Sequence, residues 1–275
     1  MVVGRRFWKM TGSGNDFVFI DGRTESASEF QSAAVIERVC ARGTGVGADG
    51  LVILTEPARE DADLALIYYN TDGSLASLCG NATLCTAALG VRLGAVDSVG
   101  FGLETGSGVL RARMRDGIPE FDLPAIEGLQ QSLTAVRREG DEIRLGFATA
   151  GIPHVVIQVP DVTSADVVAR GRAIRNDPSF AAGTNVNFVS RSSSGSWRIR
   201  TYERGVEGET LACGTGSVAS AVLLSSWGEI GDDVELETVS GQVLGIRIER
   251  SGDGTLRASL RGEGRLVYEG ILAEV

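Results

Sequence analysis

From 109 to 115, Leu110, Ala112 and Met114 alternate with three arginines, and from 197 to 202, Trp197, Ile199 and Thr201 alternate with Arg198 and Arg200. A period of two sends one set inward and the other to water, so both stretches predict half-exposed strands. Weaker versions of the pattern predict strands at 17–21, 51–55, 64–69, 154–159, 186–190, 243–250, 255–261 and 265–269. Helical spacing is rarer. Ser28 and Gln31 have the spacing of a capping box, opening a helix with Phe30, Ala33, Ile36 and Val39 or Cys40 on one face, which makes Cys40 a core residue. A second surface helix is predicted at about 164–174.

Two further segments, 80–93 (GNATLCTAALGVRL) and 214–227 (GTGSVASAVLLSSW), are small and apolar almost all round, and glycines at 94 and 228 stop them. A helix without a polar face must be buried, so each predicts a helix through the middle of a sheet-wrapped domain. Each follows a cysteine, Cys79 or Cys213. Tyr68 precedes Cys79 by 11 residues, and Tyr202 precedes Cys213 by 11. The offset between those landmarks is 134. Gly43-Thr-Gly-Val-Gly matches Gly183-Thr-Asn-Val-Asn at an offset of 140, and Gly14-Asn-Asp-Phe-Val loosely matches Gly151-Ile-Pro-His-Val at 137. Three landmarks in one order predict two similar halves related by a pseudo-twofold. The expected fold class is α+β, with two pseudo-symmetric domains, each a mixed sheet or barrel around a central buried helix. The expected domains are 1–122 and 123–264, split near Pro119 to Pro124 where strand patterning lapses, with the strand 265–275 returning to the first.

Composition narrows the partners. The 275 residues carry 26 Lys and Arg against 36 Asp and Glu, a net charge of −10, with no basic run, so neither nucleic acid nor an anionic membrane is an expected partner. Residues 1–9 lack the apolar core of a signal peptide and no stretch reaches 18 apolar residues, which predicts a cytoplasmic protein. Four cysteines with no C-x2-C or C-x4-C pair, beside one histidine, His154, predict no metal site. Cys85, off the helical face of Cys79, reads as core. Glycine, at 37 residues, is about twice its usual ~7% share and lies in clusters that mark special backbone geometry.

A cysteine at the N-terminus of a buried helix meets unpaired N–H groups and the positive end of the helix dipole. That setting is expected to lower its pKa from about 8.5 towards neutrality. The amides of Gly80, Asn81, Gly214 and Thr215 offer a cradle for a carboxylate. An acid held there would lose its α-proton to one thiolate and regain a proton from the other thiol on the opposite face, inverting the carbon with no cofactor.

The segments KMTGSGNDFVFID, GTGVGADGLVIL, YYNTDGSLASLCGN, GIPHVV, GTNVNFV and YERGVEGETLACGTGS resemble diaminopimelate epimerase from about residue 7 to the C-terminus. The resemblance implies a cofactor-independent enzyme interconverting LL- and meso-diaminopimelate for lysine and peptidoglycan synthesis, acting on a small amino acid and forming a homodimer. It implies Cys79 and Cys213 as the acid and base, with His154 and Glu203 supporting them. Asn15, Asn70, Asn185, Glu203 and Arg204 match substrate-binding positions. The chain departs from the commonest pattern at Thr11, Ala82, Leu84 and Ile152. Ile152 stands where the resemblance implies an asparagine holding the far carboxylate, so a racemase of another amino acid is the alternative.

Plainer roles remain open at several positions. His154 also suits a structural histidine, Glu203 and Arg204 a surface ion pair, and the three asparagines turn residues. Gly45-Val-Gly-Ala-Asp-Gly fits a dinucleotide fingerprint but opens onto a strand. Gly214-Thr-Gly-Ser-Val-Ala does open a helix, and Glu235 or Glu237 would have to bind the ribose, so a nucleotide-binding protein is a second class of reading. A thiol redox protein using Cys79 and Cys213 is a third.

Overall fold

The computed structural model describes residues 4–273. The chain divides into two compact units, Met1–Phe121 with Arg261–Val275, and Asp122–Leu260. The first unit holds β1 (Arg6–Gly12), β2 (Asn15–Asp21), α1 (Ala33–Cys40), β3 (Gly50–Thr55), β4 (Leu64–Asn70), β5 (Leu75–Ala76), α2 (Gly80–Arg92), β6 (Phe101–Thr105), β7 (Gly108–Arg115) and β8 (Ile118–Asp122). The second holds β9 (Glu127–Gln130), β10 (Arg144–Ala150), β11 (Ile152–Gln158), α3 (Val167–Arg175), β12 (Asn185–Arg191), β13 (Trp197–Glu203), β14 (Gly208–Thr210), α4 (Gly214–Ser226), β15 (Asp233–Glu237), β16 (Val243–Arg250) and β17 (Leu256–Arg261). The last strand, β18 (Arg265–Ile271), pairs antiparallel with β1. The architecture is α+β, with mixed sheet and few helices.

One pairing scheme is used twice. In the first unit β1–β2, β3–β4, β4–β5 and β6–β7 are antiparallel, while β2–β3 and β4–β6 are parallel. In the second, β10–β11, β12–β13, β13–β14 and β15–β16 are antiparallel, while β11–β12 and β13–β15 are parallel. The registers correct one expected landmark. Val52 stands opposite Tyr68 and Val186 opposite Tyr202, so Val186 is the counterpart of Val52 at the offset of 134. Gly183 therefore corresponds to Asp49, and its likeness to the glycines at 43–47 is coincidental.

The two apolar segments form α2 and α4, each opened by its cysteine as N-cap. α2 packs on β1, β4, β7 and β18, and α4 on β10, β11, β12 and β16. Both end alike. Gly94 and Gly228 take positive φ, their N–H groups bond the carbonyls of Val91 and Ser225, and the next N–H groups bond Gly90 and Leu224. Alternation also holds: Leu110 and Ala112 of β7, and Trp197, Ile199 and Thr201 of β13, are buried.

Three local expectations need correction. Ser28–Gln31 is a 3-10 turn rather than the first turn of a helix, and the Ser28 hydroxyl accepts from Ser26; α1 begins at Ala33, and Phe30 still joins Ile36, Val39 and Cys40 in one cluster. α3 begins at Val167 rather than 164, since the Asp166 carboxylate caps it by accepting from the Ala169 N–H at 3.1 Å. The region of Pro119, read as unpatterned, carries β8, paired with β7.

Candidate active site

In the first unit Cys79 lies half-buried at the head of α2, in extended conformation. Its carbonyl accepts from the Thr83 N–H and the Thr83 hydroxyl, each at 2.9 Å. Asn81, on the first turn, donates through Nδ2 to Asn15 Oδ1 at 2.7 Å, and Asn15 donates through Nδ2 to the Asp49 carboxylate at 3.0 Å. A carboxylate only accepts, so this chain fixes how both amides face. Asn81 Oδ1 is left as a buried acceptor without a partner. Behind Asn15, Asp16 bonds Lys9 at 2.6 Å and Arg42 at 2.6 Å, and Lys9 also donates to the Gly47 carbonyl. Burial pulls Asp16 upward, but the Arg42 and Lys9 bonds outweigh it and hold the carboxyl below its ordinary range. Asn70 ends β4 opposite Gly50, with Nδ2 donating to Ser74 Oγ at 3.0 Å.

In the second unit Cys213 heads α4 in nearly the same conformation, and its carbonyl accepts from the Ser217 N–H and the Ser217 hydroxyl, each at 2.9 Å. Asn185 is fully buried; its Oδ1 accepts from the Arg204 N–H at 2.9 Å, which turns Nδ2 towards Cys213 Sγ at 3.7 Å. The Thr215 hydroxyl also lies 3.7 Å from the sulfur. These donors do not produce the lowered thiol expected from the helix end. Burial, with the charge of Glu203 behind it, pushes Cys213 up to about 12, against the opposing bonds from the Gly216 N–H, Thr215 and Asn185. Dehydration of the sulfur outweighs those three bonds.

Glu203 ends β13, where burial raises its carboxyl and the Thr210 hydroxyl only partly offsets that. Arg204 follows, its guanidinium donating to the Ala182 carbonyl at 2.7 Å, so the pair is not a mutual surface bridge. His154 on β11 is completely buried, and burial, helped by the Arg204 charge, drives it down to about 3. Asn187 Nδ2 lies 3.2 Å from His154 Nδ1. Cys40 and Cys85 are core thiols; burial lifts Cys40 to about 11 and Cys85 well above its ordinary value.

Gly45 and Gly216 of the two glycine fingerprints answer to neighbouring protein atoms. A Cβ on Gly45 would strike the carbonyls of Arg38 and Val39, so that loop closes the end of α1. A Cβ on Gly216 would strike Asn187 Oδ1 and approach Cys213 Sγ at 3.2 Å, so the close approach there is to protein. Glu237 is bonded to Arg198. Among the described residues no three His, Cys, Asp or Glu side chains are grouped to hold a metal ion, and no helix is long and apolar enough to cross a membrane.

The sequence profile of diaminopimelate epimerase matches residues 7–119 and 146–264. The chain belongs to the diaminopimelate epimerase family. Similar members include the diaminopimelate epimerase of Gemmatimonas aurantiaca, 47% identical over 97% of this chain and 99% of the relative, and that of Aquifex aeolicus, 38% identical over 98% of each. Among solved structures, a PhzF-family phenazine biosynthesis protein from Bacillus anthracis superposes with a TM-score of 0.74 at 13% identity, covering 99% of this chain and 100% of that one. A probable proline racemase from Agrobacterium radiobacter K84 gives 0.68 at 18%, covering 98% and 93%. Those likenesses concern the fold. Within the diaminopimelate epimerase frame, Asn15 joins Asn81 beside Cys79, Asn185 joins the Arg204 backbone to Cys213, and Asn70 bonds Ser74 from the end of β4. Asp49 and Asn187 were not singled out from the sequence. Asn187 had a signal, since it lies two residues from Asn185 and shares its face of β12.

Proposed function

We propose that the chain interconverts LL- and meso-diaminopimelate by cofactor-independent proton transfer, with Cys79 and Cys213 as the acid and base pair. Inversion requires a base on one face of the α-carbon and an acid on the other. The thiolate takes the α-proton, the carbanion's electron pair takes a proton from the other sulfur's S–H, and the two cysteines exchange protonation states. The observation that carries this reading is the matched setting of the sulfurs: each is the N-cap of a helix buried in its own unit. A thiol pushed up to about 12 suits the donor in the ligand-free state. The N–H groups of Gly80, Asn81, Gly214 and Thr215 would take the α-carboxylate, since unpaired amides at helix starts favour anions. Glu203 and His154 would support the sulfurs, and Asn15, Asn70, Asn185, Glu203 and Arg204 would bind the remaining polar groups. A cytoplasmic homodimer completes the proposal, and the exposed Val267, Tyr268 and Ile271 of β18 offer apolar surface for it.

Exchange in D2O tests the chemistry and substrate together. Chelated protein treated with a carbonyl scavenger should still place deuterium on the α-carbon of diaminopimelate, and Cys79→Ala and Cys213→Ala should each lower racemisation by a factor on the order of 10² to 10⁴. Activity that vanishes on that treatment and returns with an added cofactor would overturn the two-thiol chemistry. Ile152, half-buried at the start of β11, favours one second reading: the same chemistry on an amino acid with an uncharged far end.

A further inference from the structure

The protonated nitrogen of His154 can be deduced from its neighbours. Asn187 Nδ2 lies 3.2 Å from His154 Nδ1 and 3.0 Å from the Val155 carbonyl oxygen. Asn187 Oδ1 accepts from the Thr201 hydroxyl at 2.9 Å. Turning the amide over would set oxygen against the Val155 carbonyl, which can only accept. Nδ2 therefore faces both groups, one hydrogen to Val155 and one towards Nδ1. Nδ1 must then carry the lone pair, and the ring proton sits on Nε2. Nε2 is buried and has no hydrogen-bond partner, so its N–H is an unused donor. The amide is built in from another side as well, because the missing Cβ of Gly216 leaves the room that Asn187 Oδ1 occupies, with Cys213 Sγ beside it.

We infer that Asn187 is a positioning residue of the reaction: it holds His154 as the Nε2–H tautomer, so that the imidazole serves the reacting centre as a fixed hydrogen-bond donor and not as the base that removes the α-proton. This rests on the placement of His154 in the site proposed above. A donor aimed where negative charge develops stabilises a carbanion or a thiolate without ever charging. A ring kept neutral by burial and by the Arg204 charge suits that task. Asn185, two residues earlier on β12, serves Cys213 from the same strand face.

His154 is the one histidine of the chain, so untagged protein grown on 15N-histidine gives a single pair of imidazole resonances. The expected spectrum has an unprotonated Nδ1 and a protonated Nε2, unmoved between about pH 5 and 8. Asn187→Asp places an acceptor against Nδ1 and should move the proton to that nitrogen, lowering kcat on the order of 10²-fold with little change in KM. Thr201→Val removes the bond to Asn187 Oδ1 but leaves the Val155 carbonyl facing Nδ2, and should keep Nδ1 unprotonated with a smaller loss of kcat. A wild-type spectrum with Nδ1 protonated, or a ring titrating in that range, would overturn the inference. So would a variant whose proton moves while kcat stays. Loss of racemisation in Cys79→Ala and Cys213→Ala reads the two-thiol reaction independently. If His154→Ala left kcat unchanged, the role of His154 would fail even with the tautomer as deduced.

Discussion

Ile152 pairs with Ala150 across the tight turn at Gly151, leads directly to Pro153 and His154, and shares the strand face of His154. Where an amide would bond a substrate's far carboxylate, its absence costs about 1.5 to 3 kcal/mol, roughly 10-fold to 150-fold in binding. The function proposed above would give Arg204 more of that load. With diaminopimelate as substrate, Arg204→Ala should raise KM steeply and Ile152→Asn should leave kcat/KM equal or higher, measured beside lysine, histidine and glutamate. If the native substrate has an apolar far end, Ile152→Asn should instead lower kcat/KM by stranding a buried amide. At this scale the site was partly legible in the sequence. Cys79 and Cys213 stand out because a cysteine, a glycine and an apolar run in succession have few other readings. Asp49 and Asn187 do not, since their roles are contacts to residues 34 and 33 positions away, which no local pattern encodes.

α2 and α4 share a cysteine at the N-cap, a hydroxyl residue four places on and a left-handed glycine after the last turn. Placing a Cβ at a left-handed position costs about 1 to 2 kcal/mol, so Gly94→Ala and Gly228→Ala should each lower the urea midpoint without changing KM. A large loss of kcat with an unchanged midpoint would mean that the helix ends do more than terminate. Both helices were legible because nothing polar interrupts them and glycine punctuates them. The surface helices were placed less well at their starts, where side chains decide among neighbouring caps: Asp166, not Ser164, opens α3. β10 escaped notice because Gly146 breaks its alternation. That glycine answers to α4, since a Cβ there would meet Leu223 at 2.5 Å and Trp227 at 2.9 Å.

Across the molecule, acid should act in two stages. His154 falls to about 3 in the folded chain from an ordinary 6.5, so the unfolded chain binds the proton first. Its contribution is complete above pH 6.5 and is lost as pH falls from there towards 3, by up to about 1.4 kcal/mol per pH unit. Asp16 is a lowered carboxyl, whose contribution is present above 3.8 and is lost as pH falls through its folded value. Urea titrations from about pH 8 to 4 should therefore show a slope that His154→Gln flattens and Asp16→Asn leaves intact. An unchanged slope in His154→Gln would contradict the buried neutral ring. The repeated pairing scheme has a consequence for mobility too. Each cysteine carbonyl accepts a backbone N–H and a hydroxyl, from Thr83 in one unit and Ser217 in the other. A carbonyl oxygen has two lone pairs, and both are taken. The peptide plane cannot tilt without breaking a bond. Rotation about the Cα–Cβ bond is the freedom left to each sulfur, on a peptide that two hydrogen bonds hold in place.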